Sequence, residues 1–355
     1  MREDAMASSD LRTSRRSIMK GAGLGGFAAA LGAWRTARGA PLPAAPAPEL
    51  AAASGAKIWR GEYWAKKGNV SLYMSRKRLG APERGETPRP MLFLVHGSSL
   101  SSLSFDLTPP GLGEYSVMNV FAKYGFDVWT MDHEGYGRST VTSGNSDIKS
   151  GVEDLKAAME VIQRETGRSQ LHFFGESSGA LRAASFASAE PQHVNRLALA
   201  ALTYTGKGSP TLKKRAEQAE YYRTHNRRTR DRKMIMSIFT RDKPGTSDPR
   251  VGNYLADQEL KYGDTVPTGT YLDMTVNLPV VDPAQIKSPV IIMRGQYDGI
   301  ATPTDILEFF EKLPTGDKQI AILPGLAHSL ILGVNREQFW YALHSFLTMP
   351  PHENV

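Results

Sequence analysis

The chain has 355 residues, 41% hydrophobic and 22% charged, a usage that supports a packed core and leaves room for one large α/β domain with an insertion, or for two small domains. It contains no cysteine, which excludes structural disulfides, thiolate nucleophiles and cysteine-based metal sites. The formal net charge of +7 comes partly from the first residues and partly from 207–243. With no zinc-finger, RNP or basic-zipper pattern, that charge gives no support to nucleic-acid binding.

The N-terminal segment reads Ser14-Arg15-Arg16-Ser17-Ile18-Met19-Lys20, then a weakly apolar, Gly/Ala-rich run from Gly21 to Trp34. That run falls short of the ~20 apolar residues a membrane-spanning helix needs, so no stable membrane span is expected. A basic start, an apolar middle and a small-residue end make a signal peptide. The arginine pair resembles the twin-arginine (Tat) export signal, with Ala37-Arg38-Gly39 suited to cleavage after Gly39. The resemblance implies a signal peptide over 1–39, the Tat machinery as a partner, and a periplasmic or secreted destination. Residues 40–56 are Pro/Ala-rich and read as an extended linker, so the folded domain is expected to begin near Lys57.

From there strands and helices alternate. Val70–Ser75 is the first predicted strand. Met91–Val95 is a continuous apolar run suited to a strand buried on both faces. Tyr115–Lys123 is predicted helical, Phe126–Met131 a strand, and Ile148–Glu165 a helix from its spacing of Val152, Leu155, Ala158, Met159 and Ile162. Leu171–Phe174 (strand), Leu181–Ala189 (helix), Val194–Leu202 (strand), Pro289–Met293 (strand), Pro303–Leu313 (helix), Gln319–Leu323 (strand) and Arg336–Leu347 (helix) complete the series. Such alternation predicts a mostly parallel sheet flanked by helices, with ligands at the carboxyl ends of the strands. The interval 204–286 is too long for an ordinary connection. Its helical patterns, Leu212–Tyr222 and Arg230–Phe239, predict an inserted helical cap on a core of 57–203 and 287–350.

Four features fall at predicted strand ends. Gly175-Glu176-Ser177-Ser178-Gly179 is a Gly-x-Ser-x-Gly between a buried strand and a helix, the setting of a nucleophile elbow. His96-Gly97 follows Met91–Val95. Asp298, flanked by Gly295 and Gly299, follows the strand that ends at Met293. His328, in Gly325-Leu326-Ala327-His328-Ser329, follows Gln319–Leu323. A fifth, Asp132-His133-Glu134-Gly135-Tyr136-Gly137-Arg138-Ser139, fits the turn-forming Asp-x-x-Gly-x-Gly-x-Ser pattern. Together, in the order Ser…Asp…His, they resemble the α/β-hydrolase superfamily.

That resemblance implies an α/β-hydrolase fold, Ser177 as nucleophile, His328 as general base and Asp298 as the orienting acid. It also implies an oxyanion hole from the backbone N–H groups of Ser98 and Ser178, with Asp132 and His96 structural. No cofactor or metal is implied. The expected activity is hydrolysis of a small-molecule carboxylic ester through an acyl-enzyme. The alternatives are an amide, lactone or C–C bond hydrolase with the same residues, or a ligand-binding protein of this fold with little turnover. Ser99, Tyr204, Met236 and Phe239 are candidate pocket residues, though Met236 and Phe239 are equally suited to gluing the cap to the core. The basic stretch, including Arg227 and Arg228, either steers an anionic substrate or is a solvated helix face.

Overall fold

The computed structural model describes residues 57–350; the expected signal peptide and the linker lie outside the described residues. Strands β1 (Ile58–Lys67) and β2 (Val70–Leu79) form an antiparallel hairpin. The sequence reading misses β1, because Arg60, Gly61, Glu62, Lys66 and Lys67 dilute its apolar pattern, as an edge strand tolerates. It also ends β2 too early. Arg76 and Arg78 stay in the strand because their charges are matched. Arg76 Nε donates to Asp127 at 2.8 Å, and Arg78 pairs with Glu86.

The strands β3 (Met91–Val95), β4 (Asp127–Met131), β5 (Leu171–Glu176) and β6 (Val194–Ala200) follow, separated by α1 (Val117–Lys123), α2 (Ile148–Thr166) and α3 (Ser178–Ala189). After β6 comes the insertion, with α4 (Pro210–Ala216), α5 (Ala219–Thr224), β7 (Arg227–Thr229), α6 (Arg232–Thr240), α7 (Pro249–Glu259), β8 (Thr265–Pro267) and α8 (Gly269–Leu272). The chain then returns through β9 (Val290–Gly295), α9 (Pro303–Lys312), β10 (Lys318–Leu323) and α10 (Arg336–Leu347). The large sheet has the order β1-β2-β4-β3-β5-β6-β9-β10 and is parallel from β4 to β10. The fold is the expected one: a mostly parallel sheet flanked by helices.

Side chains alternate across the strands and feed two apolar layers. Phe93, Trp129 and Phe173 pack with α2, α3 and α9 on one face. Leu92, Leu94, Val128 and Phe174 pack with α1 and α10 on the other. The insertion is not purely helical: β7 and β8, with α6 and α7 between them in the chain, form a small antiparallel sheet, each strand too short to show a period in sequence. Leu212 and Met274 of the insertion join the first layer, and Ile235, Phe239, Val251 and Leu255 join the second.

Candidate active site

Strand β5 runs into a turn whose central residue, Ser177, has φ 60° and ψ −125°. L-residues avoid that region, and such strain persists only where the surroundings enforce it. Here the Ser177 N–H donates to the Ala200 carbonyl at 2.9 Å. A Cβ on Gly175 would lie 2.3 Å from the Gly179 carbonyl oxygen, and one on Gly179 would lie 2.1 Å from that of Val95. Both positions therefore need glycine for strand and helix to meet. The result places the Ser177 hydroxyl beyond the sheet edge, one residue before α3 begins.

Two loops converge on it. Ser177 Oγ lies 3.0 Å from His328 Nε2, and His328 Nδ1 lies 2.9 Å from Asp298 Oδ1. Gly295 allows the approach, since a Cβ there would sit 2.2 Å from the Ala327 carbonyl oxygen. Asp298 Oδ1 also accepts the N–H groups of Ile300 and Ala301, at 2.8 and 3.1 Å. Burial opposes the Asp298 charge, but His328 and these N–H groups outweigh it and hold the carboxyl below the usual range. An ionised carboxylate only accepts hydrogen bonds, so Nδ1 carries the imidazole proton and Nε2 is free to accept from Ser177.

The loop after β3 closes the other side. A Cβ on Gly97 would lie 3.3 Å from Ser177 Cβ, so the backbone passes close over the serine. Ser98 Oγ donates to Ser178 Oγ at 2.8 Å and accepts from Thr270 Oγ1 at 2.8 Å, while Tyr136 donates to the Ser98 carbonyl at 2.9 Å. Among the described residues, neither the Ser98 nor the Ser178 N–H has a protein acceptor. Further along, Glu259 Oε1 accepts the Ser101 N–H and hydroxyl at 2.7 and 2.9 Å, and Glu259 Oε2 meets Arg230 at 2.6 Å. Asp132 Oδ1 accepts the Ser102 N–H and hydroxyl at 2.9 and 2.6 Å. Burial raises the Asp132 carboxyl to about 6 despite these bonds. His96 is structural. Its Nε2 accepts the His133 N–H at 3.0 Å, Nδ1 faces the Gly97 carbonyl at 2.8 Å, and burial beside His133 and Arg182 keeps the ring neutral.

Two contributors are given no role by the sequence, although Glu176 sits inside the Gly-x-Ser-x-Gly motif. Glu176 Oε1 accepts the Leu330 N–H at 2.9 Å, tying β5 to the segment that holds His328. Its burial pushes the carboxyl up to about 7, against the opposing pull of His328 and the Leu330 N–H. Asp242, buried in the insertion, accepts the His328 N–H at 3.3 Å and the Arg241 Nε–H at 2.9 Å. It belongs to no motif, so only the three-dimensional structure could reveal it.

A chamber of about 50 Å³ sits over Ser177 and His328, and a second of about 250 Å³ shares its lining at Ser99, Arg215, Ile238 and Arg241. Of the expected pocket residues, Ser99 is in place, its Oγ 2.6 Å from the Tyr271 hydroxyl. Tyr204 is not. Asp305 accepts its N–H at 2.7 Å and turns that segment towards α9, where its ring meets Phe309 and its hydroxyl accepts from Lys312 at 3.0 Å. Met236 and Phe239 pack against Gly252 of α7, on the face of α6 that glues the insertion down. The residues of α6 that line the chambers are Met234, Ser237 and Ile238. Arg227 is also turned away, donating to the carbonyls of Gly135 and Thr265.

Residues 87–334 match the Hydrolase_4 family model, described as serine aminopeptidase, S33. The chain belongs to that family. No curated protein matches it by sequence. Among solved structures, this Hydrolase_4 chain is similar to E-2-(acetamidomethylene)succinate hydrolase at 16% identity, over 81% of this chain and 99% of that one, with a TM-score of 0.60. It is similar to the enol-lactonase of Burkholderia xenovorans at 18% identity, over 81% and 100%, with a TM-score of 0.57. The monoacylglycerol lipase of Paleococcus ferrophilus matches at 20% identity, over 78% and 98%, with a TM-score of 0.56. At such identities the likeness concerns the fold, which is that of the α/β-hydrolases.

Proposed function

We propose that this hydrolase cleaves a carboxylic ester through an acyl-enzyme on Ser177. The observation that carries the reading is the continuous chain from Ser177 Oγ through His328 to Asp298, with contacts of 3.0 and 2.9 Å. Ser177 Oγ attacks the ester carbonyl carbon as its proton passes to His328 Nε2. The carbonyl oxygen becomes an oxyanion against the Ser98 and Ser178 N–H groups, each worth ~3–4 kcal/mol of barrier lowering. Collapse breaks the ester C–O bond, and the departing alcohol takes the proton from His328. Water then repeats the sequence and releases the acid. Asp298 stays ionised throughout, holding the imidazole tautomer and stabilising the transient imidazolium.

The family description suggests an aminopeptidase as a second reading. An aminopeptidase must accommodate a cationic amino terminus. Here the chamber over Ser177 is lined by Arg215 and Arg241, and the one carboxyl among its lining residues is Glu176, raised to about 7. That charge balance favours an ester over a peptide with a free amine. The test is turnover of short aryl esters against matched anilides. Ester turnover lost together with fluorophosphonate labelling in Ser177→Ala, and turnover lost in His328→Ala, is the expected result. Esterase activity surviving in Ser177→Ala, or anilides preferred, would overturn the reading. We further propose that the enzyme is exported by the twin-arginine route, on the basis of Arg15, Arg16 and the apolar run after them.

A further inference from the structure

The arginines of the insertion divide sharply by partner. Arg223, Arg230, Arg232, Arg241 and Arg250 each pair with a carboxylate: Glu220, Glu259, Asp257, Asp242 and Asp248. Arg227 spends its guanidinium on the carbonyls of Gly135 and Thr265 and on the Thr265 hydroxyl. Arg215 and Arg228 are left. Among the described residues no carboxylate lies within ion-pair distance of either, and both sit over the ring of Tyr271, at 5.2 and 4.6 Å from its centroid. The Arg228 guanidinium also reaches the Tyr222 hydroxyl at 3.4 Å.

Both line the 250 Å³ chamber, together with Lys214 and Arg241, and no Asp or Glu lines it. Arg241 has Asp242 as its partner, but gathering Lys214, Arg215 and Arg228 beside it with no acid of their own is unfavourable in the empty protein, and becomes favourable when a ligand supplies the charge. Burial and the charges of Arg241 and Arg228 lower the Arg215 pKa below the usual guanidinium value. Arg215 also lines the chamber over Ser177. An anion held there is therefore within reach of an ester carbonyl on the serine.

We propose that Arg215 and Arg228 form an anion subsite, and that the substrate is an ester carrying a carboxylate or phosphate group a short chain away from the scissile carbonyl. This rests on the ester-hydrolase reading above. Planar guanidiniums suit both oxyanions through paired hydrogen bonds. Tyr271 holds the two side chains in place without neutralising them, and cation–π contact needs no acid.

The experiment compares matched esters at low ionic strength. On the acyl side, p-nitrophenyl hydrogen glutarate is set against p-nitrophenyl pentanoate. On the alcohol side, the butyrate ester of 4-hydroxybenzoate and that of 4-hydroxyphenyl phosphate are set against phenyl butyrate. At least one anionic ester is expected to exceed its neutral counterpart about tenfold in kcat/KM, through KM, as one charge-assisted contact gives. The pair that responds identifies the anion and the side of the ester that carries it. Arg215→Gln and Arg228→Gln should each reduce the preference, while Lys233→Gln, on the exposed face of α6, should retain it. Added salt should erode it. Independently, Ser177→Ala protein should bind glutarate or inorganic phosphate by calorimetry, and the added Arg215→Gln change should weaken that binding. Neutral esters turned over with no anionic preference, or a preference that survives in the Arg215→Gln/Arg228→Gln double variant, would overturn the subsite and leave the hydrolase reading standing. Anion binding without any ester turnover would instead overturn the hydrolase reading and keep the subsite.

Discussion

Glu259 connects the insertion to the loop after β3, and its replacement separates two effects. Its carboxylate is fully buried, as is the Arg230 guanidinium it meets at 2.6 Å. Its other oxygen holds both the N–H and the hydroxyl of Ser101, three residues from Ser98. Glu259→Gln keeps an acceptor for Ser101 but strands the Arg230 charge. Breaking a buried pair from one side costs ~3–5 kcal/mol. Glu259→Leu strands the same charge and also removes the acceptor, releasing the segment that positions the Ser98 N–H. Losing one oxyanion donor lowers kcat by ~10²–10³. Urea unfolding and turnover of a short aryl ester should therefore show both variants destabilised and only Glu259→Leu slow. Combining Glu259→Leu with Arg230→Met should restore much of the stability, because no charge remains buried alone, without restoring kcat. A Glu259→Leu protein within about 0.5 kcal/mol of the parent and at parental kcat would refute the coupling.

Asp298→Asn should lower kcat by ~10³–10⁴, because an amide favours the wrong imidazole tautomer; near-parental turnover would place the orienting acid elsewhere. Glu176 links stability to pH. Its folded value of about 7 lies above the ~4.3 of an unfolded glutamate, so the folded chain keeps a proton that the unfolded chain has lost. The stability it contributes is full below about pH 4 and falls as pH rises to about 7. Glu176→Gln should gain stability relative to the parent between pH 5 and 8, and parallel unfolding curves would contradict the assignment. Asp132, at about 6, should leave a shallower decline in the variant. Finally, Arg15→Lys with Arg16→Lys should retain the protein in the cytoplasm, and equal periplasmic yield from parent and variant would refute twin-arginine export.

Much of the fold and of the candidate site was legible in the sequence. Ser177 lies directly after the buried strand β5 and Asp298 soon after the buried strand β9, while His328 follows the half-buried edge strand β10; a strand end in a parallel sheet is a local property with one spatial outcome. Gly175 and Gly179 mark the elbow because backbone atoms come too close there for any Cβ. The misses have equally physical reasons. The edge strand β1 carries too many charged residues to show a strand pattern, and the short β7–β8 pair is held by partners distant in sequence, so local pattern does not mark them. Which face of α6 meets the chamber depended on Gly252 of α7, against which Met236 and Phe239 pack; an amphipathic helix alone cannot say what each face touches. The sequence by itself determined the sheet, the order of the motifs and the candidates Ser177, Asp298 and His328, because those are set by short-range hydrophobic and glycine patterns. Only the tertiary structure decided that Glu176 and Asp242 brace the histidine segment and that Glu259 holds the loop after β3. It alone left Arg215 and Arg228 without acids beside the chamber, because pairing between charges depends on proximity in space, which an insertion folded back onto the core sets residue by residue.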